Sequence, residues 1–356
     1  MSNKIRLAVA GVGNCCSSLI QGIEFYKKNG YKSLGIIHDS FGGYRPSDIE
    51  ITVAFDIAEK KVGKDVSEAI FSDPNNTPKI IDVPKLGVDI KMGQIHDGIA
   101  ESIKEIVKVS SIQPVDVAKV LRDNEIDVLL NLVPSGASKA TEYYAKQALK
   151  AKCGFINAGP FPLASNPDWA KSFKDTGIPI VGDDIMNQIG STIIHKNLLK
   201  MLVDRGIIIK ETYCLDVGGA MESLNSVERS RWVKRSFKSE AVRSQIPELQ
   251  EVPVVSGSTD FVDFLENRRE SYFWILGNYF HNSPITIDIR LTTIDAPNSF
   301  AIVIDAIRGV KIALDRKTAG PIESVSAFCC KKPPTNTTIQ EAEIMVNDFI
   351  SGKRND

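Results

Sequence analysis

Short apolar runs and helix-length amphipathic segments alternate along the first half of the chain. The runs that predict buried strands cover residues 5–10, 51–55, 126–133, 154–157 and 178–181. Helical spacing of apolar side chains lies between them, at 17–26, 141–150 and 169–174. Strands that alternate with helices pack as a parallel sheet with helices on both faces. The pattern therefore predicts a doubly wound α/β fold.

The pattern changes after about residue 207, where strand-like segments follow one another. They lie at 207–217, 271–277 and 285–294. In the last segment Ile285, Ile287 and Ile289 alternate with Thr286 and Asp288. This is the period of a sheet that buries one face and exposes the other. A mostly antiparallel sheet is therefore expected in this region.

The two patterns together predict two domains. We expect an inserted α+β domain at 190–291, within a parallel-sheet domain formed by 1–189 and 292–356. The motif Asp295-Ala-Pro-Asn-Ser predicts the cap of a helix over about 300–314. A length of 356 residues agrees with two domains, because single cores stop growing near 250–300 residues.

Composition and charge narrow the functional class. Lys plus Arg number 43 and Asp plus Glu 44, without the basic excess of a nucleic-acid binder. Six cysteines without a CxxC pair, and only four histidines, argue against a disulfide scaffold and against a zinc site. We see no signal peptide and no apolar run of about 18 residues, so the cytoplasm is the expected location, with no membrane contact.

A glycine turn follows the first predicted strand directly. Gly11-Val-Gly13 stands between that strand and a helix, which is the start of a Rossmann-type dinucleotide fold. The glycines let the backbone approach a pyrophosphate, and the helix N-terminus supplies N–H donors. The third glycine of the usual fingerprint is absent, since Cys16 and Ser17 stand there. A strand-to-helix turn without any ligand is the alternative.

Asp56 ends the second predicted strand. An acid at this position usually binds the ribose hydroxyls of the adenosine and repels the 2′-phosphate of NADP, so NAD is favoured. The gap from Gly13 exceeds the usual spacing of about 20 residues. A Gly- and Pro-rich insertion over 30–48 accounts for that gap. Asp56 as a simple strand-end turn residue is the alternative.

Several stretches together resemble one protein family. They are GVGNCCSSLIQG at 11–22, VAFDIAEKKVGKD at 53–65, SNPDWAKSF at 165–173, VGDDI at 181–185, the Gly-Gly end of a strand at 215–219, and DAPNSFAIVIDAIRGVKIALDRK at 295–317. In this order they are similar to the inositol-3-phosphate synthase family in its shorter prokaryotic form. The resemblance implies that NAD oxidises C5 of glucose 6-phosphate, C6 is enolised and attacks C1, and C5 is reduced again. It also implies a homotetramer, with catalysis and oligomerisation in the inserted domain.

Three lysines are candidates for catalysis. Lys234 and Lys238 are four residues apart, so a helix places both on one face. A solvated basic surface is the alternative, but the family's catalytic lysine pair has this spacing. Lys311 occupies a position that the apolar stripe of its helix would give to an apolar residue. The matching family lysine is catalytic; the alternative is a surface lysine paired with Asp315.

The resemblance also implies roles for other residues. Asp184 resembles the carboxylate that orients the reacting lysine and the nicotinamide end, with a turn aspartate as the alternative. Asp260 resembles a residue near a cation by the cofactor phosphates. Candidates to bind the cofactor are Gly11, Gly13, Asn14, Cys15, Ser17, Asp56, Pro134, Asp184 and Asp295. Candidates to bind the sugar phosphate are Asn187, Gln188, Ser191 and Thr192.

This chain departs from the family at positions that are expected near the substrate. Met186 replaces a lysine, and Gly-Gly-Ala220-Met-Glu222 stands where the family has Gly-Gly-Asn-x-Asp. Glu222 still supplies a carboxylate and is a catalytic candidate. A further catalytic lysine falls at Arg268 or Arg269, of which Arg269 is the preferred candidate; an arginine holds an oxyanion but does not shuttle protons. Two alternatives therefore stay open: a dehydrogenase or cyclase acting on another sugar phosphate, and a non-catalytic NAD-binding relative.

Overall fold

Two sheets organise the molecule in the computed structural model, which describes residues 4–30 and 35–356. The strands described are β1 (Ile5–Ala10), β2 (Ile49–Asp56), β3 (Lys91–Met92), β4 (Val128–Asn131), β5 (Gly154–Asn157), β6 (Pro179–Val181), β7 (Ile208–Gly218), β8 (Val254–Phe261), β9 (Arg268–Asn278), β10 (Pro284–Ile294) and β11 (Gly320–Pro321). The first sheet contains seven of them in the order β11-β6-β5-β4-β1-β2-β3. The second contains four in the order β10-β9-β7-β8.

The helices described alternate with the strands of the first sheet and then lie against the second. They are α1 (Asn14–Asn29), α2 (Val66–Ala69), α3 (Val117–Asp123), α4 (Ser138–Ala151), α5 (Pro167–Thr176), α6 (Ser191–Asp204), α7 (Met221–Arg229), α8 (Arg231–Arg243), α9 (Asp295–Asp315), α10 (Glu323–Cys329) and α11 (Ile339–Ser351).

The first sheet is parallel throughout and is buried on both faces. One core joins α1 and α9 to one face, through residues such as Leu19 and Ile307. A second core joins α3, α4 and α5 to the other, through Leu121, Ala145 and Phe173. The strand order reverses between β1 and β4, so ligands are expected at the carboxyl ends of these two strands. The doubly wound α/β class predicted from the sequence is confirmed.

The second sheet is mostly antiparallel, as predicted: β9 pairs antiparallel with β7 and β10, and only β7 and β8 are parallel. Helices α6 and α8 cover one face, where Leu199 and Val242 pack against Ile209, Val254 and Ile275. The chain enters this sheet after β6 and returns to the first sheet through α9. The division at residues 190 and 291 stays a prediction.

Some local predictions need correction. Helix α9 begins at Asp295, so the Asp-Ala-Pro-Asn-Ser motif forms its first turn and does not cap a helix from about 300. Proline fits there because the first turn has no intrahelical acceptor for its missing N–H. Strand β8 was not predicted, because its Ser- and Gly-containing sequence carries a weak strand signal. Part of the predicted 30–48 insertion, residues 31–34, lies outside the described residues.

Candidate active site

A cavity of about 360 Å³ lies where the carboxyl ends of the parallel strands face the second sheet. The turn after β1, the end of β2 and the loop after β4 form one end of the cavity. Helices α6, α7 and α8 and strand β9 form the other end. This is the crevice in which doubly wound folds bind their ligands. The cavity therefore joins the predicted cofactor end to the predicted lysine pair.

The glycine turn has the geometry that a dinucleotide needs. Gly11 has φ +97°, and a Cβ there would lie 2.5 Å from the carbonyl oxygen of Leu132. Only glycine therefore fits at this position. A Cβ at Gly13 would meet nothing within 4 Å, so the backbone there is open towards the cavity. Asn14 and Cys15 follow at the start of α1 and also line the cavity. The residues present fit a pyrophosphate.

Asp56 lines the same end of the cavity and also holds the turn. Its Oδ2 accepts a hydrogen bond from the backbone of Val12 at 2.8 Å. Its Oδ1 accepts from Ile57 and Ala58 at 2.7 and 2.9 Å. Lys61 is buried 3.9 Å away and donates to the carbonyl of Val12 at 2.8 Å. A carboxylate has about four acceptor directions, so one remains for a ribose hydroxyl.

Lys234 pairs with Glu222 across two helices. The Nζ of Lys234 lies 2.6 Å from Glu222 Oε1 and 2.6 Å from Ser226 Oγ. The hydroxyl of Ser135, after β4, donates to the same carboxylate. Burial alone would raise the pKa of Glu222, but Lys234 and these hydrogen bonds hold it below its usual value. Glu222 thus ties α7 to the loop that follows Pro134, another cavity residue.

Lys238 lies one turn further along α8 and pairs with Asp216 of β7. Its side chain is 6% exposed, and its Nζ also donates to Ser191 Oγ at 2.8 Å. The alternative, a solvated basic surface, does not describe this pair of lysines, since Lys234 is only 8% exposed. Sequence reasoning missed Asp216, although it falls in the 215–219 stretch that carries the resemblance, because no local pattern marks it as the partner of a distant lysine.

Lys331 is a cavity lysine that sequence reasoning also missed. Its Nζ lies 2.7 Å from Asp184 Oδ1 and 2.7 Å from the carbonyl oxygen of Ile185. Burial lowers the pKa of Lys331, Asp184 partly offsets this, and Lys238 and Lys234 lower it further. A lysine with a lowered pKa beside a carboxylate is a candidate proton carrier. The only sequence signal is Cys-Cys-Lys-Lys-Pro-Pro after a helix, which suggests a loop.

The structure distinguishes the two arginines at the start of β9. Arg269 lines the cavity, and its Nη2 lies 2.6 Å from Asp295 Oδ2. Asn187 donates to the other oxygen of Asp295 at 3.0 Å. Burial would lower the pKa of Arg269, but Asp295 and its other carboxylate neighbours hold it above its usual value. Arg268 points the opposite way and bonds backbone oxygens at Leu265 and Phe264, as strand alternation requires.

Three buried polar atoms in the cavity wall have no hydrogen-bond partner within the described part of the chain. They are Asp184 Oδ2, Thr192 Oγ1 and Arg269 Nε. Thr192 and Ser191 stand in the first turn of α6, whose Gly190 N-cap offers no side chain to the helix N–H groups. Unsatisfied buried donors and acceptors are costly, so these atoms mark where a polar ligand belongs.

Comparisons with known proteins agree with this geometry. The sequence model described as Myo-inositol-1-phosphate synthase matches residues 190–296. The inositol-3-phosphate synthase of Mycolicibacterium smegmatis is 42% identical, over 99% of both chains. The chain belongs to the inositol-3-phosphate synthase family. The Corynebacterium glutamicum inositol-3-phosphate synthase is 40% identical, over 98% of this chain and 99% of that one. A myo-inositol-1-phosphate synthase-related protein from Thermotoga maritima shares the fold, with a TM-score of 0.80 at 20% identity and 98% coverage of both chains.

Lys311 is the proposed catalytic residue that the structure places elsewhere. Its Nζ lies 3.2 Å from Asp127 Oδ1 and 2.9 Å from Asp315 Oδ1, outside the cavity. This is the surface pairing that the sequence left open as the alternative. The structure therefore favours this surface pairing over the predicted catalytic role of Lys311, and Lys331 joins Lys234 and Lys238 at the end of the cavity away from the glycine turn.

Some other residues expected at the site of a family member also lie outside the cavity. Ser17 is buried and bonds Gln21 within α1. The backbone of Gln188 bonds Asn298, and its side chain does not line the cavity. Asp260 is exposed and accepts a hydrogen bond from the backbone of Phe261. Each is one or two positions from a residue that does line the cavity: Cys16, Asn187 and Ser258.

The residues that depart from the family pattern also divide into those that line the cavity and those that do not. Glu222 and Arg269 line the cavity, whereas Met186 and Ala220 are buried beside it without lining it. In residues 4–30 and 35–356, no three His, Cys, Asp or Glu side chains come together to hold a metal ion. None of the helices described combines the length and apolarity that a membrane crossing needs.

Proposed function

We propose that this chain converts D-glucose 6-phosphate to 1D-myo-inositol 3-phosphate with NAD as a cofactor that is regenerated in each turnover. The observation that carries the proposal is one continuous cavity, with a dinucleotide turn at one end and a cluster of paired lysines at the other. Curated members of the family at about 40% identity over nearly the whole chain carry this activity in their names.

The cofactor end is assigned to the turn after β1 and the residues around it. NAD, when bound, supplies the hydride acceptor and donor for the chemistry at C5. Gly11 and Gly13 let the backbone approach the pyrophosphate, and Asp56 keeps one acceptor direction for the ribose. Asp295 lies within the cavity beside Arg269, at the junction of the two sheets. A cation near the cofactor phosphates stays a prediction for which Asp260 offers no support.

The sugar phosphate is assigned to the first turn of α6. The free N–H groups there carry a partial positive charge, which favours an anion. Thr192 offers an unpartnered hydroxyl, and Ser191 and Lys238 lie beside it. Asn187 adds an amide on the approach to this turn. Together they supply donors from the backbone, from the Thr192 hydroxyl, from an amide and from an ammonium group.

Proton transfer is assigned to Lys331 with Asp184. Because its pKa is lowered, Lys331 has a neutral form nearer to physiological pH than an ordinary lysine has. Lys234 and Arg269 stay as positive charges that stabilise the oxyanions at C5 and C1. Arg269 cannot give up its proton, so it acts only as a fixed charge. The burial of these groups keeps water away from the reactive intermediates.

Incubation with glucose 6-phosphate and NAD tests this proposal. Phosphorus NMR of the products should show an inositol phosphate, and absorbance at 340 nm should show no lasting NADH. Lasting NADH would indicate a dehydrogenase, and NAD binding without any turnover would indicate a non-catalytic relative. If another sugar phosphate were converted faster than glucose 6-phosphate, the departures from the family at Glu222 and Arg269 would be changes of substrate specificity.

A matched pair of variants locates the phosphate. Thr192→Val removes the unpartnered hydroxyl in the cavity and should raise the KM for glucose 6-phosphate by about 10-fold or more, since hydrogen bonds to charged groups contribute about 1.5–3 kcal/mol. Ser18→Ala removes another buried, unpartnered hydroxyl outside the cavity and should leave that KM unchanged. An equal effect of the two variants would contradict the assignment of the phosphate to α6.

A homotetramer and a cytoplasmic location belong to the same proposal. The face of the second sheet opposite α6 and α8 carries aromatic side chains: Tyr213 and Trp274 stack with centroids 5.4 Å apart, and Tyr272 is 40% exposed. Exposed aromatic patches of this kind are typical of interfaces between protein chains. Sedimentation of the purified protein tests the tetramer, and a monomer would contradict it.

A further inference from the structure

Asp216 connects three residues of the cavity wall without lining the cavity itself. It lies on β7 and is 2% exposed. Its carboxylate accepts hydrogen bonds from Lys238 of α8, from Ser191 of α6 at 3.2 Å and from Ser271 of β9 at 2.6 Å. All three donors line the cavity, and each comes from a different element. One buried carboxylate thus fixes the relative positions of four elements.

The chemistry of the donors explains why a carboxylate is needed there. An ionised carboxylate only accepts hydrogen bonds, so it can hold an ammonium group and two hydroxyls together. Burial would raise the pKa of Asp216, but Lys238 and Arg269 hold it below its usual value. A buried ammonium group without such a partner is costly and gives up its proton at lower pH.

We propose that Asp216 is a positioning residue, which keeps Lys238 charged and holds its ammonium group in place for the phosphate of the substrate. This rests on the assignment of that phosphate to the first turn of α6. Asp216 does not touch the substrate, because the side chains of Lys238 and Ser191 stand between it and the cavity. Its role is therefore exerted through its partners.

The charged and titratable groups that act on Lys238 or on its partner Asp216 lie on α6, β7, α8, β9 and the segment after α10. They are His195 and Cys214 on α6 and β7, Lys234 on its own helix, Arg269 on β9 beside Asp216, and Lys331 after α10. Burial lowers the pKa of His195 to about 3, so it stays neutral in the range of interest. Each of these groups is present in both the native protein and the variants below, so the comparison isolates Asp216.

Binding of inorganic phosphate to the NAD-loaded protein, measured by calorimetry between pH 7.5 and pH 10, tests the proposal. NAD occupies the cofactor end, so that phosphate reports on the other anion site. In Asp216→Asn the affinity for phosphate should fall at a pH about two units lower than in the native protein. The reason is that the pKa of a buried lysine without a partner is lowered by up to about 3–5 units. The proposal would be overturned if phosphate binding to this variant had the same pH profile as binding to the native protein, or if the affinity fell by the same factor at every pH.

Asp305→Asn is the matched control. Asp305 is equally buried and pairs with Arg308, but both lie outside the cavity. Arginine stays protonated throughout, so this variant should keep the native pH profile of phosphate binding. The same profile shift in both variants would mean that any buried carboxylate has this effect, and it would overturn the specific role of Asp216.

A double variant keeps the proposal testable if Asp216→Asn does not fold. Lys238→Met with Asp216→Asn removes both charges, so it should fold and bind phosphate as Lys238→Met does alone. A further loss of affinity in the double variant, or its failure to fold, would show that Asp216 acts independently of Lys238. Phosphate binding without formation of inositol phosphate would refute the proposed function alone, whereas a native protein that binds no phosphate would refute both.

Discussion

Two regions of the molecule bury cations beside carboxylates, and they differ in what is left unpaired. In the middle of α9 every nitrogen of the Arg308 guanidinium has a partner: Asp305, and backbone oxygens of Ile304, Tyr44 and His38. The second oxygen of Asp305 lies 2.7 Å from His38 Nδ1. This cluster is complete within the chain, and it ties the 35–48 segment to α9.

The cavity wall has similar pairs but is incomplete. Lys331 and Asp184 are paired at 2.7 Å, and Arg269 and Asp295 at 2.6 Å. Nevertheless, Asp184 Oδ2 and Arg269 Nε have no partner within the described residues. An ion pair whose polar atoms all have hydrogen-bond partners contributes to the specificity of the fold. An ion pair that retains a polar atom without a partner can bind a ligand. Burial and charge alone therefore do not mark an active site, but unsatisfied polar atoms on residues that line a cavity do.

The largest expected effect separates Lys331, whose partner Asp184 has an unpartnered oxygen in the cavity wall, from Lys311, which lies outside the cavity. Lys331→Met should lower kcat by about 10³-fold or more, since it removes a proton carrier and a charge at the reacting centre. NAD affinity should stay near that of the native protein. Turnover of glucose 6-phosphate and NAD titration measure the two quantities.

Lys311→Met is the control for that variant, because Lys311 is similarly shielded but pairs with Asp127 and Asp315 outside the cavity. Its turnover should stay within a few-fold of native. If Lys311→Met abolished turnover and Lys331→Met did not, Lys311 and not Lys331 would be the catalytic lysine.

The next effect concerns stability instead of catalysis. Asp305→Asn leaves Arg308 as a buried cation without its carboxylate, which should cost about 3–5 kcal/mol in the free energy of unfolding. Urea denaturation measures this loss, and kcat of the folded variant should be unchanged. A variant as stable as the native protein would show that backbone oxygens alone suffice for Arg308.

The smallest effect concerns the cofactor end of the cavity. Asp56→Asn keeps the shape of the side chain but removes its charge, so the repulsion of the NADP 2′-phosphate disappears. NAD affinity should fall by about ten-fold, and the preference for NAD over NADP should narrow. Isothermal titration with both dinucleotides measures the ratio. A native protein that prefers NADP would contradict the role given to Asp56.

The sequence by itself determined the features that depend on neighbours along the chain. The parallel strands and helices follow from local apolar periodicity, which a 6-residue strand such as β1 shows on its own. The glycine turn at Gly11 and Gly13 follows from backbone conformation. The spacing of Lys234 and Lys238 follows from the pitch of a helix. These features also carried the resemblance to the family.

Only the tertiary structure decided which charges meet. Asp216 and Lys238 are separated by 22 positions, and Lys331 and Asp184 by 147, so no local pattern connects them. The sequence favoured Lys311 because it interrupts an apolar stripe, but a side chain on such a stripe can also reach a surface carboxylate. Which partner a long side chain reaches depends on the packing of distant elements, because its charge needs a counter-ion wherever the fold buries it.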